Sequence, residues 1–165
     1  MLRIIALSIF SLFLYNSCKV YTLSGASTGE ANTAEIPYFQ NRASVVQPSL
    51  SRELTEKLKD KILSQTNLKL VNDGGDTKFE GEITGYEVTP AAITGDNLAA
   101  KNRLTITVKV KFVNSTDGQF DFESSFSRFE DFDSNTSVDA VESELIDKIG
   151  DQLIEDIFNR AFVNW

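Results

Sequence analysis

The sequence predicts a two-layer α+β fold, a small mostly antiparallel sheet packed on one face by two amphipathic helices. Three observations lead there. Arg103 to Val113 alternates strictly, Leu104, Ile106, Val108, Val110 and Phe112 on one side, Arg103, Thr105, Thr107, Lys109 and Lys111 on the other. That is the period of a strand with one buried and one wetted face. Leu50, Leu54, Leu58 and Ile62 recur every four residues, as do Val141, Leu145, Ile149, Leu153 and Ile157, and both rows are flanked by charged positions. The cluster Asn114-Ser115-Thr116-Asp117-Gly118 reads as the hairpin turn joining the alternating strand to its neighbour.

The chain has 165 residues, a length that makes one domain with one core. Its formal charge of −8 excludes a nucleic-acid groove, which needs clustered Lys and Arg. With no histidine, the commonest general base and metal ligand are absent. A single cysteine forms neither an internal disulfide nor a C-x-x-C site. These absences point away from an enzyme.

In chain order, residues 1–17 read as a lipoprotein signal peptide. Arg3 supplies the positive start, Ile4 to Tyr15 is an uncharged apolar run, and small Ser17 precedes the cut. That run is too short to span a bilayer, which takes ~18 or more residues. The lone cysteine, Cys18, stands where the acylated residue of a bacterial lipoprotein would be. Covalent lipid there would anchor the chain stably, at roughly 0.8 kcal/mol per buried methylene. Lys19, in place of Asp, makes outer-membrane delivery the expected destination. Residues 18–35 are the expected anchor and flexible tether, 24–35 having no large apolar side chain. The folded domain is expected over 36–165.

Ile36 to Val46 is β-prone, with Pro37 placing it at an edge or strand start. Pro48-Ser49 opens the first helix, Ser49 serving as N-cap, and Asn67 ends it. Leu68 to Val71 is a short strand before the turn Asn72-Asp73-Gly74-Gly75. Residues 77–89 form a long strand whose apolar positions change parity between Ile83 and Tyr86. A side-chain period of two cannot switch faces without an inserted residue, so a bulge is expected near Gly85. Residues 90–101 form a loop. After the hairpin, Phe120, Phe122 and Phe126 alternate with Asp121, Glu123 and Ser125 in a strand to Phe132, and the second helix runs from about Val138 to Phe162.

Two side-chain patterns carry possible chemistry. Asp131, Asp133, Asn135, Ser137, Asp139 and Glu142 fall at the ligand positions of a calcium loop. Thr136 stands where that loop needs glycine, and capping plus helix-dipole complementation explains most of the same residues. The outward row Arg103, Lys109 and Lys111 would meet the phosphates of an anionic lipid or pair across the hairpin with Asp121 and Glu123, the commoner role for such charges.

The stretches Phe39-Gln40-Asn41-Arg42, Gln47-Pro48-Ser49-Leu50-Ser51 and Leu54-Thr55-Glu56-Lys57-Leu58 occur in order with Gln65-Thr66-Asn67-Leu68 and Phe79-Glu80-Gly81-Glu82-Ile83. Tyr86-Glu87-Val88-Thr89-Pro90, Asn102-Arg103-Leu104-Thr105 and Asp156-Ile157-Phe158-Asn159 complete the series. Together they resemble the LPS-assembly lipoprotein (LptE-like) family of the Bacteroidetes type. The resemblance implies an outer-membrane lipoprotein that sits partly in the lumen of a large LPS-translocon β-barrel, plugs it, helps it assemble and is linked to contact with LPS. It implies no catalysis and no cofactor beyond the lipid on Cys18. The alternative is a free-standing lipoprotein module that binds a ligand or calcium through residues 131–142.

Overall fold

The elements of the chain succeed one another as β1 (Thr33–Glu35), β2 (Gln40–Asn41), α1 (Leu50–Gln65), β3 (Lys69–Val71), β4 (Thr77–Pro90), β5 (Lys101–Asn114), β6 (Phe122–Asp133) and α2 (Val138–Phe162). A 3-10 turn, Gly118–Phe120, lies inside the β5–β6 hairpin. The computed structural model describes residues 26–91 and 101–163; the expected signal peptide, Cys18, most of the expected loop over 90–101 and Trp165 fall outside them.

The sheet order is β3-β1-β4-β5-β6, with β2 also alongside β4. The three long strands are antiparallel neighbours, as their alternation dictates. The sheet is thus mostly antiparallel, as expected, and the short strands are its parallel part. β1 runs parallel between β3 and β4, and β2 runs parallel to β4. The domain also begins earlier than residue 36, because Ala34 of β1 is fully buried and Ser27 N–H already donates to Phe162 O at 2.8 Å. In place of the expected strand over 36–46, only Gln40 and Asn41 pair with the sheet.

The expected bulge is present. Ile83 faces Val108 and Gly85 faces Thr107, leaving Thr84 as the extra residue. Because of that insertion both Ile83 and Tyr86 point inward and are buried. Leu104, Ile106, Val108, Val110 and Phe112 form the inner side of β5 and are all essentially inaccessible. Both helices cover this face. Leu50, Leu54, Leu58 and Ile62 of α1, with Leu145, Ile149, Leu153 and Ile157 of α2, complete one core. An aromatic group closes it near the end of α2, where the Phe162 ring lies 5.9 Å from Phe79 and 5.7 Å from Phe112.

Helix α1 starts without help from the Ser49 hydroxyl, correcting that assignment. Ser49 is already helical in backbone and makes no side-chain cap. Gln47 replaces it, its side-chain oxygen accepting from Ser49 N–H at 3.2 Å and its main-chain oxygen from Leu50 N–H at 3.3 Å. At the other end Thr66, one residue before the expected Asn67, donates to Ile62 O from its N–H at 2.9 Å and its hydroxyl at 2.8 Å. The helices are clamped by Lys57, whose ammonium reaches both Asp147 and Asp151 at 2.6 Å. Burial works against that charge, but the two carboxylates outweigh it and raise its pKa.

One side chain ties α1 to the sheet edge. Phe39, just before β2, is buried on Gly81 of β4, where a Cβ would stand 2.3 Å from its ring. Its N–H donates to Thr55 Oγ1 at 3.0 Å and its carbonyl accepts from the Ser51 hydroxyl. Glycine is needed at position 81 for space rather than for backbone freedom.

Two of the carboxylates held below their ordinary pKa lie where β1 joins β4. Asp76 accepts from Asn32 N–H at 2.9 Å and Thr33 N–H at 3.1 Å, and these bonds hold its carboxyl below the ordinary 3.8. The hydrogen bond from Lys78 holds Glu35 below 4.5 in the same way. A depressed carboxylate contributes stability that is complete above its unfolded value and lost as pH falls through its folded value. The thermal midpoint should therefore be flat from neutrality to about pH 5 and fall below about pH 4. Asp76→Asn should lower the plateau and make the acid limb shallower in a pH series of melts; an unchanged limb would remove Asp76 from the account.

Candidate functional site

The face of the sheet opposite the helices is open and polar, as the outward positions of β4, β5 and β6 require. Its side chains stand in cross-strand rows set by the register. Thr89, Arg103 and Asp131 form one row, Glu87, Thr105 and Phe129 the next, then Gly85, Thr107 and Ser127, and then Glu82, Lys109 and Ser125. Thr107 and Ser127 join hydroxyl to hydroxyl at 3.0 Å.

The expected basic row is divided. Arg103 binds Asp131 with both arms, Nε to Oδ1 at 2.7 Å and Nη2 to Oδ2 at 3.0 Å, and stacks on the Phe129 ring at 3.6 Å. Lys109 and Lys111 lie about 20 Å and about 27 Å further along β5, at six and eight residues' distance. Lys109 pairs with Glu123, and Lys111 approaches Glu80 at 3.9 Å. The hydrogen bond from Lys109 holds Glu123 below the usual carboxylate range, and Arg103 does the same for Asp131. Cross-strand pairing is thus what these cations do, with Glu123 among the two expected partners. Asp121 is otherwise engaged, accepting from Asn114 N–H at 2.7 Å.

Lys109 and Lys111 help to line a shallow hollow of about 410 Å³ with Tyr38, Arg42, Glu80, Glu82 and Glu123. Arg42 is 3.5 Å from Glu82, so cations and carboxylates interleave through the hollow. Tyr38 and Arg42 are brought here by the two-residue strand β2. A pairing that short leaves no periodic trace, and sequence reasoning missed both residues.

The six residues of the expected calcium loop are not assembled, which corrects that reading. Asp131 faces Arg103 on the open side of the sheet. Glu142, one turn into α2, points toward the core side, accepting from the Tyr86 hydroxyl and the Gln47 amide. Asp133 ends β6 on the exposed side, Asn135 lies in the following turn, and Ser137 starts α2 without a side-chain cap. Strand, turn and helix point the carboxylates apart, and among the described residues no three acidic or thiol groups gather as a cation site. Tyr86 was not foreseen as a partner. Its burial, followed by the adjacent Glu142 carboxylate, drives its hydroxyl pKa well upward.

Residues 31–161 match the LptE family, described as lipopolysaccharide-assembly. The chain belongs to the LptE family. The matched span begins just before β1 and ends in the last turn of α2, so the family unit and the folded unit coincide. No curated protein matches this LptE-family chain in sequence.

Among solved structures, a hypothetical protein from Chlamydia trachomatis shares its fold, with a TM-score of 0.54, 8% identity, and coverage of 81% of this chain and 99% of that one. A minor lipoprotein from Acinetobacter baumannii gives a TM-score of 0.45 at 15% identity, covering 74% and 91%. A lipoprotein from Neisseria meningitidis gives 0.42 at 14% identity, covering 75% and 99%. Among the described residues of the LptE-family chain, no helix is long and apolar enough to cross a membrane.

Proposed function

We propose that this chain is the lipoprotein subunit of an outer-membrane LPS translocon, anchored by lipid on Cys18, lying on the periplasmic side and partly within the lumen of a large partner β-barrel. There it plugs the barrel and assists its assembly, without catalysis. The observation that carries the reading is the LptE-family match across the whole folded unit. The polar open face of the sheet supports it, because a large barrel's interior wall is itself polar and a plug must present a compatible surface.

LPS contact, if made by this chain, falls to Lys109, Lys111 and Arg103. Their carboxylate partners would have to yield to phosphate groups, an exchange of one charge-assisted pair for another.

The deciding experiment is mild-detergent extraction of outer membranes and capture through a C-terminal tag of demonstrated accessibility. A large β-barrel should be recovered in stoichiometric amount. Recovery of the chain alone, with the barrel present in the extract, would overturn the assignment.

A further inference from the structure

The two edges of the sheet are finished differently. On one side the end strand is β3, three residues long with Lys69 exposed on it, and the stretch of β4 beyond its pairing with Asn41 ends in Pro90. Short strands, lysine and proline all discourage another chain from pairing at an edge. The other edge is β6, and it has none of these devices. It is 12 residues long, contains neither proline nor lysine, and pairs with β5 without a break in register from Lys101↔Asp133 to Phe112↔Phe122. Nothing among the described residues pairs with its far side. Alternate residues of an antiparallel strand turn both N–H and C=O away from the neighbour, so about six residues of β6 offer main-chain groups along about 40 Å.

Inward-pointing charges also protect edges, and Arg128 and Glu130 do face the helix side, opposite Ile106 and Leu104. Both are already held by α2. Arg128 grips Asp156 at 2.6 and 2.7 Å, and Glu130 accepts from the Gln152 amide at 2.7 Å. They tie the strand to the helix rather than guard its rim.

The side chains say what kind of segment this edge suits. β6 carries Glu123, Glu130, Asp131 and Asp133 against a single cation, Arg128. On the helix side Phe126 packs on the core yet stays only half-buried, so an apolar side chain laid beside it would complete its burial. A second copy would bring the same excess of acid, in a chain of net charge −8, and like charges across paired strands repel.

We infer that β6 is a docking edge that takes one extended, basic segment of a partner chain as an added strand, with Lys or Arg on the open side of the sheet and an apolar residue beside Phe126. A closed barrel wall has no free edge to offer, so the segment belongs to a loop or terminus of the partner. The inference stands whether or not the domain occupies a barrel.

The test uses the full lipidated chain in mild detergent, a synthetic peptide of alternating Lys and Val, and residue-by-residue amide hydrogen exchange. Alternate amides of Phe122–Asp133 should exchange fast in the free chain and slow down when the peptide binds. The same peptide methylated at every backbone amide keeps its charges but has no main-chain donors, and should give no protection. Ser127→Lys, at an exposed position on the open side, should weaken binding by about tenfold or more, because like charges set side by side oppose it, with the urea midpoint unchanged.

Equal binding of the methylated peptide would overturn the inference, since charge alone would then attract. Equal binding of an alternating Glu and Val peptide would overturn it because charge would not select. Protection confined to residues outside β6, no binding at all, or unaltered binding to the Ser127→Lys variant would do the same. Slow exchange of the β6 amides without peptide, growing with protein concentration, would give the edge to a second copy and overturn the basic partner.

Discussion

Gly81→Ala is expected to destabilise the domain by roughly 3 kcal/mol, at the upper end of what overpacking costs. The added methyl would sit 2.3–2.4 Å from three atoms of the Phe39 ring. The ring has little room to withdraw, because Ser51 and Thr55 of α1 hold both polar groups of its backbone. Phe39→Ala should cost about 3–5 kcal/mol through the cavity it leaves beneath α1. In the double variant the clash disappears along with the ring, so the combined loss should fall well short of the sum. Urea unfolding of the three variants measures this. Strict additivity would show that Gly81 and Phe39 do not act through their contact.

Glu142→Leu is expected to lower stability by about 2–3 kcal/mol, because it leaves the buried Tyr86 hydroxyl and the Gln47 amide without their acceptor. Tyr86→Phe alone should cost about 1–1.5 kcal/mol, the loss of one hydrogen bond to a carboxylate. Adding Tyr86→Phe to Glu142→Leu should then recover part of the loss, since an absent hydroxyl cannot be left unsatisfied. Asp133→Leu, at an exposed position, should stay within about 0.5 kcal/mol of the parent. Midpoints of urea unfolding compare the four. Equal effects at 133 and 142 would mean that Glu142 does no more than face water.

Residues 131–142 also show why part of this molecule was legible in its sequence and part was not. The long elements announce themselves by period. The alternation of 103–113 and the four-residue rows of both helices survive because each element buries one face along its whole length. Even the bulge was readable, since a change of parity between Ile83 and Tyr86 has a single geometric remedy.

The calcium spacing misled because it is a pattern along the chain, while ligation is a pattern in space. A strand, a turn and a helix turn Asp131 and Glu142 away from each other. The whole of β1, and the short extent and parallel pairing of β2 within the strand expected over 36–46, were hidden for a different reason. Three and two residues are too few to show a period, and β1 owes its place to residues 69–78, far along the chain. At the start of α1 the Gln47 side chain, two residues upstream, accepts from Ser49 N–H, while the Ser49 hydroxyl caps nothing. Local propensity does not register that arrangement.

The position of β1 between β3 and β4 has a consequence for the order in which the domain can form. The first strand made is an interior strand of the sheet, and both its neighbours are synthesised later. β4, β5 and β6 can zip up by successive neighbour pairing, with little loop entropy to overcome. The N-terminal strand must wait for them and then close a gap on behalf of β3, which reaches the rest of the sheet only through it. The N-terminal strand of the domain is thus among the last to dock. Until it does, the edge of β4 stays unpaired, the state in which a new chain is most open to mispairing or to capture by a chaperone.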